Sequence, residues 1–64
     1  MDKLYSIEVH DEFTYSIYRW RSNVNGACGP WVDEREDAVE AGEEHHNIML
    51  SIYPELREQY GQRH

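Results

Sequence analysis

The chain holds one cysteine, Cys28, among its 64 residues. That excludes an intramolecular disulfide, and with it the cross-linked scaffold that small secreted domains use in place of a large core. Basic residues are scarce too. Six Lys and Arg stand against thirteen Asp and Glu, for a formal charge of −7, and Lys3 is the single lysine. Such a surface repels nucleic acid and anionic lipid and attracts basic proteins. No apolar run approaches the ~20 residues that span a bilayer, and the opening MDKLYS lacks a signal-peptide run. These absences predict a reduced, cytoplasmic protein.

Size excludes more. A 7.7 kDa chain is one domain over residues 1–64, and a domain of this length buries only about 60% of its unfolded surface. A cleft for an enzyme active site is hard to build in it. Eight aromatics (Tyr5, Phe13, Tyr15, Tyr18, Trp20, Trp31, Tyr53 and Tyr60) supply large buried area per residue and predict an ordered fold. Self-association as a homodimer would add to it.

Residues 4–9 (LYSIEV) alternate, with Tyr5, Ile7 and Val9 on one face, and predict a strand. His10-Asp11-Glu12 is a short polar break. Residues 13–21 (FTYSIYRWR) predict a second strand, with Phe13, Tyr15 and Ile17 on one face and Tyr18 and Trp20 on the other. The two form an antiparallel hairpin. Asn25-Gly26 and Gly29-Pro30 are turn pairs, and Trp31-Val32 fits a short third strand. Asp33 predicts a helix N-cap, with Glu36 completing a capping box. Gly42 and the polar run Glu43–Asn47 predict a break near Asn47. Pro54 opens a further helix, with Gly61 as its stop. The expected fold is α+β: a small antiparallel sheet followed by two or three short helices.

The acids are unevenly placed. Asp33, Glu34, Glu36, Asp37, Glu40, Glu43 and Glu44 all fall within DEREDAVEAGEE. As a helix this segment is about 16 Å long, so its charge density approaches that of duplex DNA, one charge per roughly 1.7 Å. The helix dipole favours acids in the first turn. It does not account for Glu40, Glu43 and Glu44. Like-charge pairs four apart, such as Glu36–Glu40 and Glu40–Glu44, each cost on the order of 0.2–0.5 kcal/mol.

Catalytic and metal signatures are weak. His45 and His46 are adjacent, whereas helical zinc pairs sit three or four apart, and His10, His64 and Cys28 supply no second close pair. The two histidines are expected to be partly exposed, offsetting Glu43 and Glu44 at mildly acidic pH. Cys28 has no orienting group for nucleophilic catalysis, and no phosphate-binding glycine loop is present. No catalytic residue, metal or cofactor is therefore expected. Arg19-Trp20-Arg21 forms a second candidate contact surface, because aromatics and arginine anchor interfaces.

Taken together, MDKLYSIEV, the aromatic hairpin and DEREDAVEAGEE resemble the small acidic phage-encoded anti-CRISPR proteins, in particular inhibitors of type I systems such as type I-C. The resemblance implies a DNA mimic that acts in the bacterial host cytoplasm. Its partner would be a basic nucleic-acid-binding protein, such as a Cas subunit of a type I interference complex, whose groove the seven acids would occupy. The alternative is a structural or adaptor module that docks through its aromatic face, as a homodimer or on another protein.

Overall fold

A computed structural model describes residues 3–60 and has the expected α+β architecture. Strand β1 (Tyr5–Asp11) pairs antiparallel with β2 (Ser16–Ser22), Tyr5 opposite Ser22 and Asp11 opposite Ser16. His10 and Asp11 belong to β1 rather than to a break. The chain reverses instead at 12–15, where Glu12 N–H donates to Tyr15 O at 2.7 Å. Phe13 and Tyr15 therefore leave the sheet, and Phe13 is fully exposed.

The reason is register. A reversal at 10–12 would set Tyr5, Ile7 and Val9 against the Phe13, Tyr15 and Ile17 face. The observed register sets them against Ser22, Trp20 and Tyr18. Directly opposed residues share a face, so one apolar face is built from Tyr5, Ile7, Val9, Tyr18 and Trp20. The other carries Ser6, Glu8 and His10 opposite Arg21, Arg19 and Ile17. There Glu8 accepts from both arginines.

After β2 the chain turns through Asn23–Gly26. Ser22 Oγ accepts from Val24 N–H and Asn25 N–H, Asn25 Oδ1 accepts from Ala27 N–H, and Gly26 takes a φ of +80°. Residues 27–32 then run back along the outer edge of β2. Arg21 bridges Cys28 and Tyr18 bridges Val32, but the register slips by one residue between them, and Pro30 offers no N–H. The expected third strand is thus reduced to two isolated bridges.

Helix α1 (Arg35–Ile52) follows. Its N-cap is Glu34, not Asp33, and no side chain caps it. The backbone does that work alone: Glu34 O accepts from Asp37 N–H and Ala38 N–H. Val32 is held on β2, so Asp33 is spent as the link between sheet and helix. The helix does not break near Asn47. Ala38, Gly42 and His46 recur every four residues and are all buried, so the supposedly polar run keeps its apolar stripe. Gly42 is required by that packing, because a Cβ there would lie 2.5 Å from Tyr5 Cδ2. The ring lies directly on the helix backbone.

Tyr53 closes α1. Pro54–Leu56 forms a 3-10 turn and α2 (Arg57–Tyr60) a single further turn, as Pro54 predicts. Gly61, expected as the stop, and His64 lie outside the described residues. Among the described residues, Leu4 and Ala38 are the fully buried apolar ones, and Ser22 and His46 are buried as well. The core is therefore a thin seam between the hairpin and the first three turns of α1. Among the described residues, no helix is long and apolar enough to cross a membrane.

Candidate functional surfaces

The acids of α1 divide into two groups. At about 100° per residue, Glu36, Asp37, Glu40 and Glu44 fall within an arc of about 100°. That arc lies opposite the buried Ala38–Gly42–His46 stripe. All four are exposed, and none makes a salt bridge among the described residues. Asp37, Glu40 and Glu44 line a shallow depression floored by Ala41. Asp33 and Glu34 are exposed just before the helix and extend the same negative end.

Glu43 stands apart. Its carboxylate accepts from the Tyr5 hydroxyl at 2.7 Å and pairs with Lys3 Nζ at 2.8 Å. These two donors hold the carboxyl below its usual range. In turn, burial and the neighbouring carboxylate push the Tyr5 hydroxyl up to about 12. Glu43 is thus a clasp between α1 and β1, not a free member of the acidic face. Nothing in the sequence signals this, because Tyr5 and Glu43 are 38 residues apart.

Arg19-Trp20-Arg21 does not form one surface. Strand alternation sends Trp20 to the helix side, where its ring stacks on His45 at 4.3 Å between centroids. Gly29 lies so close beneath the indole that any Cβ there would overlap it. Arg19 and Arg21 point the other way, onto Glu8, at 2.7 and 3.0 Å. These two hydrogen bonds keep the Glu8 carboxyl below its ordinary value. Arg19 also lies 4.4 Å over the Trp31 ring, and His10 flanks Trp31 from β1. The hairpin's cations are therefore consumed internally.

His45 is partly exposed as expected, whereas His46 is not. His46 is buried and His45 is half-buried against Trp20. Burial lowers the basicity of both, and both rings are turned to the hairpin side rather than to the acidic face. The four-residue spacing from Ala38 through Gly42 to His46 is the sequence signal that marks His46 as inward-facing.

Among the described residues, no three His, Cys, Asp or Glu side chains are grouped to hold a metal ion. Cys28 is exposed, its Sγ directed at Gly26 O.

Among the described residues, the exposed surfaces include an unneutralised carboxylate face, the aromatics Phe13 and Tyr15 at the hairpin end, and an apolar group of Ile48, Ile52 and Tyr53 toward the end of α1. No family model, curated protein or solved structure matches this chain, so the reading of these surfaces rests on their own geometry.

Proposed function

We propose that this protein is an acidic competitor for a basic nucleic-acid groove, an inhibitor of the anti-CRISPR kind directed at a Cas subunit of a type I interference complex. The observation that carries the reading is the row Glu36, Asp37, Glu40 and Glu44, exposed on one helix face and free of any basic partner among the described residues. Four carboxylates over about 12 Å of helix axis compare with one phosphate per roughly 3.4 Å along a DNA strand. Ordinary exposed helices interleave lysines at such positions. Here Lys3 is engaged by Glu43, and Arg19 and Arg21 by Glu8. A groove that binds phosphates would meet a comparable row of anions on a rigid rod. No cofactor enters this function.

The test is the double reversal Glu40→Lys with Glu44→Lys, which spares the first-turn acids and the Glu43 clasp. Lysine at 40 turns the Glu36–Glu40 repulsion into an attraction, so circular dichroism should show an intact fold. Displacement of labelled target duplex from a purified type I-C effector complex should occur with the wild type, fade at high salt and be lost in the variant. Displacement by the variant at wild-type concentration would sink the reading.

A second reading has its own observation. Phe13 is fully exposed and Tyr15 is 58% exposed at the hairpin end. This supports an adaptor docking through aromatics, with the acids maintaining solubility. Binding would then be insensitive to salt, lost in Phe13→Ala and kept in the double reversal.

A further inference from the structure

His45 and His46 both contact the hairpin, yet in different ways. His46 Nδ1 accepts a hydrogen bond from Leu4 N–H at 3.2 Å, at the fully buried residue of the core. That bond requires the nitrogen to carry no proton. His45 stacks nearly parallel on Trp20, with an interplanar angle of 20°. Its Nε2 is buried with no hydrogen-bond partner among the described residues. Neither imidazole is hydrogen-bonded to a carboxylate among the described residues. Among the described residues, the charged groups around His46 are Lys3, which disfavours a second positive charge, Glu43, which favours one, and His45 itself. The Glu43 charge is already shared by Lys3 and the Tyr5 hydroxyl. His45 meets the Trp20 indole, and burial is what opposes its charging.

We propose that His45 and His46 form a proton-sensitive latch that holds α1 on the hairpin at neutral pH and releases it at mildly acidic pH. A proton on His46 Nδ1 would set donor against donor at Leu4. A proton on His45 would charge a ring whose buried nitrogen has no acceptor. Cation–π attraction to Trp20 offsets only part of that.

The direction follows from linkage. Burial holds both imidazoles below the ordinary 6.5, so the released chain takes up protons first as pH falls. The latch is closed above about pH 6.5 and loosens as pH drops through the lowered values. Each histidine weakens the folding constant by up to about tenfold per pH unit, and the pair by up to about a hundredfold. This window lies above the acid range in which Glu8 and Glu43 titrate.

The test is urea unfolding of the full chain from pH 7.5 to 5.0, followed by circular dichroism and tryptophan fluorescence. The variant is His45→Phe with His46→Asn. Phenylalanine keeps a ring on Trp20, and the asparagine carbonyl stands in for Nδ1. The wild-type folding constant should drop by about five- to thirtyfold between pH 6.5 and 5.5, while the variant's stays within about threefold. A flat wild-type profile, or a variant that falls as steeply, overturns the latch. Titration of the wild-type imidazole C2–H resonances reads the same property without any substitution. Two of the four histidines titrating below 6.5 support the latch. All four titrating at or above it overturn the proposal, even if the variant does not fold.

Discussion

The Tyr5 hydroxyl donates to Glu43 at 2.7 Å, across the junction of β1 and α1. The same Tyr5 ring lies close against Gly42, so one side chain fixes both the height and the closeness of the helix on the sheet. Removing the hydroxyl in Tyr5→Phe should cost about 1 kcal/mol, with Glu43→Gln costing a similar amount. The double-mutant cycle in urea should return a coupling of at least about 0.5 kcal/mol. Additive losses would mean that the two groups do not act on each other.

Gly42→Ala sets two effects against each other. Alanine gains about 1 kcal/mol of helix propensity over glycine. Its Cβ would sit 2.5 Å from the Tyr5 ring, and overpacking costs about 1–3 kcal/mol. The ring cannot easily retreat while its hydroxyl is held by Glu43. Gly42→Ala should therefore destabilise the protein, and the same change in a Tyr5→Ala background should stabilise it. Thermal melts of the four proteins decide this, and the same sign in both backgrounds would refute the close-approach argument.

Asp33→Ala should change stability by less than about 0.5 kcal/mol, the range for surface substitutions. A side-chain cap would be worth about 0.5–2 kcal/mol, but the helix begins after Glu34 without one. A chemical denaturation midpoint distinguishes the two ranges.

Acid should unfold the protein through its paired carboxylates. Glu8 and Glu43 are held below their ordinary 4.5 by Arg19 with Arg21 and by Lys3 with Tyr5. Groups whose basicity is lowered on folding stabilise the fold above the unfolded value, and that contribution is lost as pH falls through the folded one. Stability should thus decline again below about pH 4.5. Glu8→Gln and Glu43→Gln should each flatten this lower limb in a pH series of urea midpoints. A limb as steep as wild type in both variants would assign acid sensitivity elsewhere.

Trp20→Ala should cost about 3 kcal/mol, as for a packed aromatic. A domain of this length has only about 3–10 kcal/mol in all, so the variant should lose about a third or more of its stability, read as a lowered urea midpoint. Loss of binding in that variant is therefore mixed with loss of stability. Phe13→Ala touches no core contact, should leave the melting temperature unchanged, and is the clean probe of an aromatic docking surface.

Much of this protein is legible in its sequence because it depends on local chemistry. The period-two run of Tyr5, Ile7 and Val9, the Asn25-Gly26 turn, the acid-rich helix and the Pro54 boundary each follow from residues within a few positions of one another. The exposed row of Glu36, Asp37, Glu40 and Glu44 is likewise set by helical spacing. What only the tertiary structure decides is what meets across the sheet. The hairpin could turn at 10–12 or at 12–15, and the parity of that choice selects Tyr18 and Trp20 rather than Phe13 and Tyr15 for the buried face. It turns Trp20 toward the helix and sets Arg19 and Arg21 against Glu8, while packing of the helix brings Tyr5 onto Gly42 and into reach of Glu43. Such pairings are decided by burial of a whole apolar face, because a one-residue slip exchanges every side chain of a strand between water and core. No single residue's preference is large enough to record that outcome locally.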